Sequence, residues 1–216
     1  MIKYNTVLRD GEGELIIEKS KFIGYAREVH SRADADNFFD EIRKKHKDAS
    51  HNVPAFVIGD KMELKWASDD GEPQGTSGPP ILKLLENEGL TNVAVIVTRY
   101  FGGTKLGTGG LARAYTASAK EAIQSAGYAS VIEAVTVKCE IAYTYYDKLK
   151  SVLLGSGFEI SDVEYAENIT LTASAESEKE PELLSLISAT TNGSGKTLNS
   201  TNNDIKIEYK KGYSDK

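Results

Sequence analysis

Five consecutive apolar residues, Val93-Ala94-Val95-Ile96-Val97, leave this stretch with no polar face. Alternate side chains of a strand point to opposite faces, so a strand of this kind has to be buried on both and belongs in the middle of a sheet. The next stretch is equally constraining. A glycine-rich segment, Thr98–Gly110, leads into a long helix, read from about Gly110 to Ala126, whose small residues Ala112, Ala114, Ala117, Ala119 and Ala122 permit close packing on that sheet. Gly127 caps its end.

The other elements of the first half are read from the same signals. Glu14–Glu18 and Lys21–Ala26 form two short strands around a Lys19-Ser20 turn. Ser31, three residues before Asp34, opens a helix carrying Ala35, Phe38, Phe39 and Ile42, and Arg43–Lys47 closes it with positive charge at the negative end of its dipole. Pro54–Ile58 is a strand, and Met62, Leu64 and Trp66 alternate along another. Pro79-Pro80 starts a helix buried through Ile81, Leu82, Leu84 and Leu85, and Gly89 ends it.

The pattern changes after Val131. Val135, Val137, Cys139 and Ile141 alternate as a strand, and Tyr146, Leu149, Val152 and Leu153 mark a helix stopped by Gly155 and Gly157. Phe158–Tyr165 and Ile169–Ala175 pair across a Glu167-Asn168 turn. Leu183, Leu184 and Ile187 give a second helix, and Ile205–Tyr209 a last strand. The polar stretch Gly193–Asn203 reads as a mobile loop. The order βαββαβ is ferredoxin-like. The chain is therefore expected to be α+β, with domains at 1–130 and 131–216 meeting near Gly127–Glu133. Its 216 residues suffice for two small domains.

Two glycine-rich loops, 68–80 and 99–110, carry whatever chemistry the chain has, because glycine loses the most backbone entropy on ordering. Gly107-Thr108-Gly109-Gly110-Leu111-Ala112 fits G-x-G-x-x-A, but a dinucleotide site wants those glycines directly after the strand. Thr108 stands where a phosphate-binding Walker loop needs lysine. A general anion site survives: backbone amides at a helix start (Gly102, Gly103, Gly107, Gly109, Gly110), charge from Arg99, Lys105 and Arg113, and stacking faces from Tyr100 and Phe101. The competing reading makes Tyr100 and Phe101 core anchors and the glycines points of backbone contact.

Asp69, Asp70 and Glu72 have the wrong spacing for a calcium loop. They serve either as acid–base or magnesium carboxylates, or as caps for backbone amides and partners of Arg99 or Lys105. His51 with Ser68 or Ser77 and Asp70 could assemble a triad, but no nucleophile elbow marks it. His30 and His46 read as surface residues. One cysteine, Cys139, excludes an internal disulfide and a thiolate cluster, so neither a metal site nor a cofactor is expected, and no catalytic residue is assigned. The N-terminus lacks the apolar core of a signal peptide, and no run is long enough to span a bilayer, which points to the cytoplasm and away from a membrane. Net charge is −6, with 17 basic against 19 acidic residues up to Glu133 and 9 against 13 beyond it. Neither half is a dedicated basic nucleic-acid binder, so RNA would have to meet a local patch.

The blocks Ser68-Asp69-Asp70-Gly71-Glu72-Pro73, Gly75-Thr76, Gly78-Pro79-Pro80 and then Thr98–Gly103 and Lys105–Leu111 resemble those of the IMPACT family, whose bacterial members are the YigZ-like proteins. The likeness runs from about Lys19 to Gly127, and the remainder is similar to the small second domain of the bacterial members. The resemblance implies an N-terminal domain like the second-domain fold of a small-subunit ribosomal protein, and a domain pair like the last two domains of elongation factor G. It implies regulation of translation, with ribosome, RNA or a translation factor as partner. The partner through which eukaryotic relatives control an initiation-factor kinase is not carried over, because no added N-terminal domain of that type is seen. His51-Asn52 matches a His-Asn pair of the family, and Val53 stands where relatives often carry cysteine, which weakens a thiol mechanism. The alternative is an enzyme acting on a phosphorylated or nucleotide-like ligand between the two loops.

Overall fold

The computed structural model describes residues 2–209. They divide into two compact units, one of Tyr4–Ser130 with 206–209 and one of Val131–Ile205 with 2–3. The N-terminal strand β1 (Ile2–Val7) precedes a five-stranded sheet built from β2 (Gly11–Ile17), β3 (Ser20–Glu28), β4 (His51–Ile58), β5 (Leu64–Ala67) and β6 (Val93–Tyr100). Its order is β2-β3-β6-β4-β5, with each neighbouring pair antiparallel. The doubly apolar segment sits where its pattern demands. Val93, Val95 and Val97 pack beneath helices α2 (Gly78–Glu88) and α3 (Gly107–Ala126). Ala94 and Ile96 meet Phe38, Phe39 and Ile42 of α1 (Arg32–Lys45) on the opposite face.

Close approach of α3 to the sheet rests on small residues from both sides. A methyl group at Gly11 would lie 2.2 Å from the Ala122 carbonyl oxygen, and one at Gly24 would lie 2.4 Å from that of Ser118. Ala114, Ala119, Ala122 and Ala126 are buried there, while Ala112 and Ala117 are half-buried. Four local readings change. The hairpin turn is Glu18-Lys19, both at positive φ, rather than Lys19-Ser20, because a two-residue turn pairing Ile17 with Ser20 matches the strand twist. Helix α3 begins at Gly107, three residues earlier than read. Met62 lies in a turn at positive φ, outside β5.

The last change is in the second unit, which contains most of β7 (Tyr128–Ile141), then α4 (Tyr143–Gly155), β8 (Glu159–Tyr165), β9 (Ile169–Glu176), α5 (Glu180–Thr190) and most of β10 (Lys196–Tyr209). β10 pairs with β7, which pairs with β9, which pairs with β8. This is the ferredoxin-like βαββαβ arrangement, closed over Val135, Val137, Cys139, Leu149, Leu153, Leu171 and Leu183. Residues 196–203, read as a mobile loop, are strand. Their side chains are exposed, so no apolar alternation signals them, and pairing with β7 supplies the backbone partners. Burial pushes the Cys139 thiol up to about 11, which leaves it protonated and unreactive.

Candidate functional site

The first loop, between β5 and α2, folds back onto the start of α2. Asp69 Oδ1 accepts hydrogen bonds from the backbone amides of Ser77 (3.0 Å) and Gly78 (3.0 Å) and from Ser77 Oγ (2.7 Å). Its Oδ2 accepts from the Gly75 amide at 2.7 Å. One carboxylate thus satisfies donors that the helix start leaves open. Partial burial works against its charge, but the hydrogen bonds from Ser77, Gly75 and Gly78 prevail and hold Asp69 below the usual carboxylate range. Asp70 accepts from the Asn52 amide at 2.6 Å. Its carbonyl oxygen lies 2.7 Å from His51 Nδ1, and a carbonyl only accepts, so Nδ1 carries the proton.

Glu72 leaves this loop and reaches Arg99 on β6. Arg99 Nη1 donates to Glu72 Oε1 at 2.6 Å, and the Tyr115 hydroxyl of α3 donates to the same oxygen at 2.7 Å. Both charged side chains are almost wholly enclosed, at 4% and 6% exposure. Arg99 Nη2 donates to Ser20 Oγ at 3.3 Å, which also accepts from the Gly102 amide. The guanidinium lies over the rings of Phe22 and Phe101, 5.4 and 5.3 Å from their centroids. Its Nε is buried without an acceptor. Desolvation and the bond to Glu72 push the Tyr115 hydroxyl far above its ordinary range, so it acts only as a donor. His51 Nε2 is 3.8 Å from Glu72 Oε1, too far for a direct hydrogen bond.

The second loop ends differently. Gly102 packs so tightly on the β2–β3 turn that a methyl group would sit 2.0 Å from the Lys19 carbonyl oxygen. Beyond it the chain lifts into solvent and enters α3 through Leu106, which supplies no capping oxygen, and the first turn carries no acid. Gly107, Thr108 and Gly109 are exposed. A cavity of about 340 Å³ lies on one side, walled by Phe101, Leu106 and Leu111 over the Glu72–Arg99 pair, with Lys105, Gly107 and Thr108 at its edge. A hollow of about 520 Å³ lies on the other, with Lys105, Gly110 and Arg113 facing Ile17 and Glu18. Among the described residues neither Lys105 nor Arg113 forms an ion pair.

The two loops therefore do meet, through Glu72 rather than Asp69 or Asp70, and Arg99 is committed to that contact. Tyr100 is not a fully free stacking face, because its ring is half-buried against the core on the α1 side, with the His46 ring edge-on to it. Phe101, 49% exposed, is available as one. Gly103 sits at the loop's crest and, like Lys105, is exposed. His46, read as a surface residue, is buried, and its Nε2 lies 2.8 Å from the Tyr25 hydroxyl. Burial, aided by the neighbouring Lys45 charge, lowers its pKa. Tyr115, Ser20 and His46 escaped the sequence reading because each lies far along the chain from its partner and no local pattern marks it. Among the described residues, no group of three or more His, Cys, Asp and Glu is arranged to hold a metal ion. None of the described helices is long and apolar enough to cross a membrane.

Comparison with known proteins finds two family models along the chain. A family model described as the Impact N-terminal domain matches residues 18–123, and one described as a domain of unknown function (DUF1949) matches residues 139–194. The chain is similar to the IMPACT family member YvyE of Bacillus subtilis, with 37% identity over 190 residues that cover 88% of each chain. It is also similar to the IMPACT family member YigZ of Escherichia coli, 40% identical over 111 residues that cover 50% of this chain and 54% of that one. A crystal structure described as that of an hypothetical protein matches with a TM-score of 0.57 and 27% identity, over 92% of this chain and 97% of the other.

Proposed function

The chain belongs to the IMPACT family, and we propose that it is a cytoplasmic, translation-associated regulatory protein that contacts ribosome, RNA or a translation factor through the glycine-rich start of α3. The observation that carries this reading is the N-terminus of α3 without a side-chain cap, flanked by Lys105 and Arg113, which form no ion pair among the described residues, and by the exposed ring of Phe101. Open backbone amides and two free cations attract phosphate, and an exposed ring accepts a base. Family resemblance supplies the link to translation. The enzymatic alternative has less support, since Glu72, the buried carboxylate of the cleft, already accepts from Arg99 and Tyr115 and faces His51 across 3.8 Å.

The test is co-sedimentation with ribosomes from lysate across a salt titration. The protein should pellet at low salt and dissociate as salt rises, and Lys105→Glu should shift release to lower salt. For purified RNA the slope of log affinity against log salt should flatten by about 0.7 to 0.9, one phosphate's counterion release. Unchanged sedimentation of Lys105→Glu at every salt concentration would refute the reading.

A further inference from the structure

Gly109 is the residue of the second loop that the fold leaves unexplained. Gly102 is required by the Lys19 carbonyl, and Gly103 and Gly107 take positive φ of 87° and 70°. Gly109 does neither. It lies in the first turn of a 20-residue helix, outside the left-handed region, and a methyl there would meet only Arg113 Nη1, at an ordinary 3.6 Å. Glycine at such a position weakens the helix relative to alanine. Among the described residues only Arg113 Nη1 comes within 4 Å of the space kept open, so the backbone of this turn is approachable from outside.

A second, independent feature lies beside it. Arg99, only 5% exposed, lines the 340 Å³ cavity with its buried Nε unpartnered. Its charge is balanced by Glu72, so the charge left for a ligand comes from Lys105, Arg113 and the amides of α3, with Glu18 the carboxylate across the outer hollow. The cavity lies at the small end of ligand sites, with room for about one base. A phosphodiester inside a strand carries one negative charge, whereas a terminal phosphomonoester approaches two at neutral pH. Two free cations beside an uncapped helix start match the second better.

We propose that the start of α3 binds a terminal phosphomonoester of a nucleotide, free or at the end of an RNA chain. The phosphate rests on the amides of Gly107–Gly109 beside Lys105, and the base lies against Phe101. This deepens the proposed function and rests on its anion site.

The test measures binding of the full chain to one single-stranded oligoribonucleotide prepared with a 5′-phosphate, with a 3′-phosphate, or with hydroxyls at both ends, and to AMP against adenosine. A terminal phosphate should raise affinity at least tenfold, and Phe101→Ala and Lys105→Glu should each remove most of that gain. Gly109→Ala should lower the affinity for the phosphorylated ligand while melting at or above the wild-type temperature, a combination that a purely structural glycine does not give. Preference for AMP over adenosine without any preference between oligonucleotides identifies the free nucleotide as the source. Equal affinity for phosphorylated and hydroxyl forms of both oligonucleotide and nucleoside overturns the proposal and leaves ribosome association standing. Loss of ribosome association as the failing result would instead strike the reading beneath it.

Discussion

Two glycine-rich loops each lead into a helix of the same unit, and they end in opposite states. The first draws Asp69 across the start of α2 and fills its open amides with one carboxylate. The second enters α3 through Leu106, with no acid and no capping side chain. One helix start is completed by the chain's own carboxylate, and the other has no side-chain cap. The difference teaches that glycine content alone does not mark a binding loop. A binding loop is marked by backbone donors and charges that the fold does not consume.

If the first loop is a structural clasp, removing its buried anchor should be the most damaging change in the molecule. Glu72→Ala strands Arg99 as an uncompensated buried charge and takes the acceptor from Tyr115, so it should cost about 3–5 kcal/mol in urea unfolding. Glu72→Gln should recover part of this. A loss below about 1 kcal/mol would mean that Arg99 finds solvent or another partner, and the contrast between the loops would collapse. Asp69→Ala should cost about 2 kcal/mol, at the upper end for a helix cap, since four donors lose one acceptor group. Lys105→Ala, its counterpart on the second loop, should stay within about 0.5 kcal/mol of wild type. Similar losses at Asp69 and Lys105 would show that the second loop is also a clasp.

How much of this was legible depends on whether a residue's role was written in its neighbours along the chain. Val93–Val97 announced its double burial, and Ser31 with Asp34 announced the start of α1, where the Asp34 amide donates to Ser31 Oγ at 3.1 Å. The pairing of Glu72 with Arg99 was less accessible, because three acids stood within four residues and only the path of the loop decides which one reaches β6. The Tyr25–His46–Tyr100 chain was invisible for the same reason. The end of β10 was read as the strand Ile205–Tyr209, but its first part, 196–203, escaped because its exposed side chains carry no periodicity and it is strand through backbone pairing alone.

His46 offers a smaller effect that separates the sheet from both loops. Its folded pKa lies below the ordinary histidine value, so the folded state binds fewer protons than the unfolded one as pH falls through about 6.5. The stability it contributes is complete above that value and is lost progressively on acidification toward the folded pKa. Unfolding free energies at pH 7.5 and 5.5 should therefore fall with pH, and His46→Gln should flatten the slope. Asp69 has the same sign in a lower window. Its stability is present above the ordinary carboxylate pKa and is lost as pH falls below about 4. A slope unchanged in His46→Gln would assign the acid sensitivity above pH 5 to another group.

The smallest expected change in stability is also the one with reversed sign. Gly109→Ala adds a methyl that meets nothing closer than 3.6 Å, in a helix turn where alanine is favoured over glycine by up to about 1 kcal/mol. Near a helix start the gain should be about half of that, so melting should rise by roughly one to three degrees for a chain of this size. At the start of α2 the comparable change works in the other direction, since a methyl at Gly78 would lie 2.5 Å from the Ser68 carbonyl oxygen and force the loop open. A pair of melts on Gly109→Ala and Gly78→Ala thus compares the two loops in a single experiment. If both variants lose stability, Gly109 has a packing role that its geometry does not show, and the helix start of α3 is as fully used by the fold as that of α2. If Gly109→Ala gains while Gly78→Ala loses, alanine would be the more stable choice at residue 109, and the glycine there is kept for contact with something outside the chain.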